Sequence, residues 1–252
     1  MIAHIGKRIG CCIIGYLSAA GLAYAQLTVP SGATVALDGG TLDLAATSLQ
    51  LGGTFSIGSG NLDGARNIAI AAGGTLDGGS GLITLFGDWS NLGGFNHGSG
   101  TVSWVDGGSG QSNISGNSTF NNASFVSASG KNFSFAVGNT QTVGGLLTIL
   151  GTPALGIQFK SASPGQVAFI DLLPGGSQSI QHVGVSNVHA TGQHLAPNQS
   201  NDGGTGDALG WFGSGGGGAA VTPTPALTVW ALLSLALLLI GSTAVRNARC
   251  RD

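Results

Sequence analysis

The chain has 252 residues, with 8 Lys plus Arg, 10 acidic residues and 47 glycines. Residues 26–225 carry nine Asp, no Glu, and only Arg66, Lys131 and Lys160 as fixed positive charges. That balance argues against nucleic acid, whose binders need clustered Lys and Arg. Cys11, Cys12 and Cys250 all lie outside this stretch, so no disulfide can brace it.

Residues 1–25 read as a signal peptide. His4, Lys7 and Arg8 form a basic start, an apolar stretch follows from Ile9, and Ala23-Tyr24-Ala25 is the small-x-small pattern after which a signal peptidase cuts. The mature, exported chain is expected to begin at Gln26. An N-terminal membrane anchor is the alternative, and the shortness of the apolar stretch argues against it.

Residues 26–213 form the predicted ectodomain. Glu is absent, Lys is scarce and Gly interrupts every stretch long enough for three helical turns, which opposes helix. Alternation at period two remains: Val35/Leu37, Leu42/Leu44, Leu49/Leu51, Phe55/Ile57 and Ile68/Ile70 each put two apolar side chains on one strand face. The first members of the first four pairs lie six or seven residues apart. Three such steps make about twenty-one residues, and Gly32, Gly53 and Gly74 recur at 21. Strand and corner repeated three times would bring the chain back above its start. The expected fold is an all-β parallel β-solenoid (β-helix) with coils of about 21 residues, in which each coil buries its inward side chains by stacking on its neighbours. About eight coils at strand spacing make a rod on the order of 40 Å long. An antiparallel β-sandwich or barrel is the alternative, because short strands at regular spacing suit it too.

Beyond residue 86 the period loosens while alternation persists in GSGTVSW (98–104), KNFSFAVG (131–138) and GGLLTILG (144–151). Trp211 and Phe212 are expected to cover the last coil, since solenoid ends need caps. Residues 214–225, SGGGGAAVTPTP, are a flexible Gly tract stiffening into a Pro-Thr stalk. Residues 226–245 are apolar and uncharged, long enough to cross the inner membrane as a helix. Arg246, Arg249 and Arg251 follow in a basic tail, 246–252, expected on the cytoplasmic side.

No constellation demands catalysis. Asp38, Asp63, Asp77, Asp106 and Asp202 each precede Gly, the composition of a tight turn. Asp43 and Asp63, one coil apart, are the best candidates for a carboxylate pair of the kind that cleaves glycosidic bonds. Asn198, Asn201, Asp202 and Asp207 gather oxygen donors for a calcium reading, without matching an EF-hand loop or a calcium β-roll array. The spacings of His182, His189 and His194 fit neither a zinc ribbon nor HExxH, and His182 is expected to point outward from a strand. GSGQSNISG (108–116) lacks the Lys of a P-loop, and no GxSxG elbow occurs. Catalytic, cofactor and metal residues are therefore all read as none.

Pro225-Ala226-Leu227-Thr228-Val229-Trp230-Ala231, followed by the apolar segment and the arginines, resembles the IPTL-CTERM sorting signal of Gram-negative bacteria. Pro225, Leu227, Trp230, Arg246, Arg249 and Arg251 match it, while Ala226, Thr228 and Ala231 depart from its Thr, Ser and Gly. DWSNLGGFNHGSGTVSW (88–104) is similar to the Gly/Thr/Val-rich β-solenoid repeats of bacterial surface proteins, and residues 160–213, ending in GWF, resemble the segment that closes such arrays. The resemblance implies handling by an exosortase-type sorting enzyme and delivery to the cell surface or extracellular matrix. The function expected is structural or adhesive and non-enzymatic, with surface polysaccharide or neighbouring surface proteins as partners. A polysaccharide-active β-helix enzyme and a calcium-dependent adhesin are the alternatives.

Overall fold

The computed structural model describes residues 25–213. The signal peptide up to Tyr24, the linker 214–225, the apolar segment 226–245 and the tail 246–252 lie outside the described residues, and so does every residue of the sorting signal. Among the described residues, no helix is long and apolar enough to cross a membrane.

The described chain winds into eight coils, each built from short strands. The first holds β1 (Gln26–Val29), β2 (Thr34–Ala36) and β3 (Thr41–Asp43); the second holds β4 (Ser48–Leu51), β5 (Thr54–Ser56) and β6 (Asn61–Ala65). The third holds β7 (Ile68–Ile70), β8 (Thr75–Asp77) and β9 (Leu82–Leu85); the fourth holds β10 (Trp89–Asn91), β11 (Gly94–Asn96) and β12 (Thr101–Trp104). The fifth holds β13 (Gln111–Ser115), β14 (Ser118–Phe120) and β15 (Asn122–Val126); the sixth holds β16 (Asn132–Phe135), β17 (Thr140–Val143) and β18 (Leu146–Leu150). The seventh holds β19 (Ile157–Ser161), β20 (Ala168–Leu172) and β21 (Ser177–Gln181), and the eighth holds β22 (Val183–Ser186) and β23 (Val188–Ala190).

No strand pairs with its neighbour in sequence. β1 pairs in parallel with β4, β4 with β7, and so on to β22, giving one continuous eight-stranded face. The strands from β3 to β21 make a second face of seven. The third face is broken: β2, β5, β8 and β11 form one sheet, and β14, β17, β20 and β23 form another. This is a parallel β-solenoid, and the antiparallel sandwich is ruled out by the pairing itself.

Inward residues alternate as the pattern predicts. Leu49, Leu51, Phe55, Ile57, Ile68 and Ile70 are all buried. The coils then widen. On the eight-stranded face, Leu49 pairs with Ile68 and Ile68 with Trp89, steps of 19 and 21, whereas Trp89 pairs with Ile114 and Phe159 with Val185, steps of 25 and 26. A wider cross-section needs larger side chains to stay filled. The core accordingly passes from Leu and Ile to a run of rings, Trp89, Trp104, Phe120, Phe125, Phe133 and Phe159, in edge-to-face and stacked contact. Trp211 closes that run, 2% exposed, edge-on to Phe159 at 6.1 Å and bridged to Leu195.

The glycine beat needs one correction. Gly53 and Gly74 occupy equivalent places, since Thr54 pairs with Thr75, but Thr34 pairs with Thr54 and so sets Ala33, not Gly32, opposite Gly53. A more regular column lies one corner on, where Gly40, Gly60, Gly81 and Gly100 precede the register-matched Thr41, Asn61, Leu82 and Thr101. A Cβ on Gly60 would stand 2.7 Å from the Gly40 carbonyl oxygen, and one on Gly81 would run into the Gly60 carbonyl. Coils can close to strand spacing at this corner only where no side chain intervenes.

Candidate functional site

Most of the carboxylates singled out in the sequence serve backbone or neighbouring side chains. Asp43 accepts the Ala45 amide at 2.8 Å, and Asp77 accepts that of Gly79 at 3.3 Å. Asp63 is not at a turn but inside β6, where Gly64 takes a left-handed φ of 65° and the register slips between Leu62 and Ala65. Its carboxylate accepts the Thr84 hydroxyl. Asp43 and Asp63 are register partners on the seven-stranded face, so the structure does bring them side by side. The hollow beside Asp63 measures about 170 Å³, smaller than the ~300–1,000 Å³ of small-molecule sites.

The three histidines have a role that local spacing did not reveal. His182 is not in a strand: it sits at the corner between β21 and β22 with φ 54°, its Nδ1 3.2 Å from Asp202 Oδ2. His189 Nε2 lies 3.1 Å from Asp207 Oδ2, and His194 Nε2 lies 3.2 Å from the Phe212 carbonyl. His182 and His194 each tie a late coil to the segment that closes the rod, whereas His189 Nε2 lies close to Asp207 without a hydrogen bond. Asn201 helps: its Oδ1 accepts the Val185 amide and its Nδ2 donates to the Val185 carbonyl. Asn201, Asp202 and Asp207, candidates for calcium, are thus each engaged with β22, β23 or the corner before them.

A cavity of about 410 Å³ opens at the corner where the seven-stranded face turns into the eight-stranded one. Arg66, Asn67, Phe86, Asp88, Gln111 and Asn113 line it. They are up to 47 residues apart in sequence, from Arg66 to Asn113, and stacking alone brings them together. A hydrogen-bonded ladder makes its floor. Asn67 Nδ2 donates to Ser48 Oγ (3.4 Å), the Asp88 amide donates to Asn67 Oδ1 (2.8 Å), and Asn113 donates to Asp88 Oδ1 through both its amide (2.7 Å) and Nδ2 (3.1 Å). Gln111 Nε2 extends the ladder to Asn113 Oδ1 at 3.1 Å.

Gly107, Gly108 and Ser109, from the DGGSG of residues 106–110, form one lip of this cavity. The same five letters at 77–81 are an ordinary corner: there a Cβ on Gly79 would collide with the Gly58 carbonyl and one on Gly81 with that of Gly60. In the second copy, Cβ atoms on Gly108 and Gly110 would meet nothing within 4 Å. Asp106 anchors the lip to the next coil, accepting the Ala128 amide (2.8 Å), the Ser129 amide (3.2 Å) and the Ser129 hydroxyl (2.9 Å). Burial works to raise the Asp106 carboxyl, but the hydrogen bonds from Ser127, Ala128 and Ser129 outweigh it and hold the group below the usual carboxylate value.

Beneath the corner lies Lys131, 1% exposed, whose Nζ donates to the Phe86 carbonyl and, at 3.1 Å, to that of Val105. Burial pushes its ammonium below the usual lysine value, against the opposing pull of Asp106 and Asp88. Two of the three fixed cations of residues 26–213, Arg66 and Lys131, therefore stand at this one corner. Comparison with known proteins finds no match: no family model fits the chain, and neither a curated protein nor a solved structure is detectably similar to it.

Proposed function

We propose that the chain is an exported, non-enzymatic structural or adhesive protein of the cell surface or extracellular matrix. In this reading the solenoid is a rod, residues 214–225 hold it off the inner membrane, and the C-terminal signal passes it to an exosortase-type enzyme. The observation that carries the reading is the repetition of the rod's outer faces. On the seven-stranded face, Thr84, Ser103, Ser124, Thr148 and Ser179 stand in one register column, a long polar surface renewed every coil. Single carboxylates bound into local structure support a scaffold, and the cavity at the Asp88 corner is lined by one carboxylate, Asp88 itself.

Mass spectrometry of the protein from its native cell tests this reading. The expected mature chain starts at Gln26 and lacks Arg246–Asp252. An intact basic tail on surface-located protein counts against sorting by cleavage, and protein confined to the cytoplasm overturns the reading.

The adjacency of Asp43 and Asp63 favours a second reading, a polysaccharide-cleaving enzyme. It requires release of reducing ends or unsaturated sugars that both Asp43→Asn and Asp63→Asn abolish.

A further inference from the structure

We propose that the cavity at the Asp88 corner binds a neutral sugar unit of a polysaccharide. Four observations converge on that chemistry. The volume, about 410 Å³, falls in the range of small-ligand sites. The lining combines a guanidinium (Arg66), a carboxylate (Asp88) and the amides of Asn67, Gln111 and Asn113. Such planar groups hydrogen-bond in pairs and suit the vicinal hydroxyls of a sugar ring, which both donate and accept.

The half-buried Phe86 adds an aromatic surface for the apolar C–H face of such a ring. A phosphate-binding site would need several converging cations, and Arg66 is the one cation of this lining; the amides and charges spread among the lining residues suit a hydroxylated ligand better than a lipid chain. Arg66 and Asp88 supply one charge of each sign at the lining, which favours a neutral sugar over a uronic acid, whose carboxylate would meet that of Asp88.

The fourth observation is the lip. A Cβ on Gly108, which lines the cavity, would meet nothing within 4 Å, so this stretch of the lip stands clear of the folded chain. A backbone left bare beside a cavity allows a ligand to come close to it. The floor is already ordered by the Ser48–Asn67–Asp88–Asn113 ladder, so binding need not freeze those side chains.

The inference rests on the surface-rod reading only for where the sugar comes from, and its test is independent of location. The full-length chain, in a detergent without a sugar headgroup, is titrated by calorimetry with neutral gluco-, manno- and galacto-oligosaccharides and separately with uronic-acid oligomers. The expected result is saturable binding to a neutral series, weakened at least tenfold by Asp88→Asn and by Gln111→Ala. Gln111 is exposed at the lining, and an unchanged melting temperature shows that Gln111→Ala still folds. The exposed Leu92→Ser, outside the cavity lining, should leave binding intact. The proposal is overturned by no saturable binding to any neutral series, by binding to uronic acids alone, by binding that Gln111→Ala and Asp88→Asn leave unchanged, or by equal loss in Leu92→Ser.

Discussion

The Trp104 indole lies flat on the Phe125 ring, with centroids 4.6 Å apart and planes within 6° of parallel. The two are register partners on consecutive coils, so the stack follows the hydrogen-bond ladder between β12 and β15. Both are buried, and Trp104 also meets Trp89 and Phe120 edge-on. Trp104→Ala should destabilise the fold by about 3–5 kcal/mol, as large-to-small aromatic changes in cores do. Urea unfolding followed by circular dichroism checks it, and a loss under about 1 kcal/mol would mean the ring run is not a continuous core.

Gly81 and Gly110 end the two DGGSG copies but should respond oppositely to Ala. At Gly81 the new methyl runs into the Gly60 carbonyl, and the coils must part, at a cost of about 1–3 kcal/mol. At Gly110 it meets nothing, and the stiffer unfolded chain should leave stability unchanged or raise it by about 0.4–1 kcal/mol. Denaturation midpoints of the two variants against the parent decide the matter.

Acid should act through Asp106. Its folded pKa lies below the unfolded one, so its contribution is fully present above the unfolded value, about 3.9, and is lost as pH falls through the folded value. Asp106→Asn should lose stability at neutral pH and show a flatter decline below about pH 4. Parallel acid-unfolding curves of parent and variant that superimpose after a vertical shift would rule this out.

Lys131 gives the opposite limb. Its folded pKa is also depressed, so the unfolded chain holds the proton longer, and stability should rise as pH climbs from the folded value to the unfolded one, about 10.4. Lys131→Met should abolish that rise. It should also leave the Phe86 and Val105 carbonyls without their shared donor, costing about 1–3 kcal/mol at neutral pH. Thermal melts at pH 7 and pH 10 measure both effects.

The strand alternation and the approximate period were legible because burial acts on them directly: Phe55/Ile57 and Ile68/Ile70 point inward as their spacing demands. The widening after residue 86 was not, because extra residues go into corners such as 106–110, which carry no alternation. The floor of the cavity escaped for a related reason. Asn67, Asp88 and Asn113 lie 21 and 25 residues apart, and only the register Ile68–Trp89–Ile114 turns those separations into neighbours. The histidines were tested against metal spacings of a few residues, whereas their partners are 18–20 residues downstream, on the next turn of the chain. Chemistry in a solenoid is spelled along the axis, at right angles to the order in which the sequence is read.

The register steps also order events in time. No strand pairing spans more than 31 residues, the separation of Leu147 and Gln178. Each coil can therefore settle on its predecessor once a few dozen further residues are free, and folding can follow the chain instead of waiting for its end. Lys131 falls outside that schedule, reaching back 45 residues to Phe86. The corner that holds the cavity is thus completed only when the sixth coil arrives, three coils after Arg66 and Asn67 lead into the third.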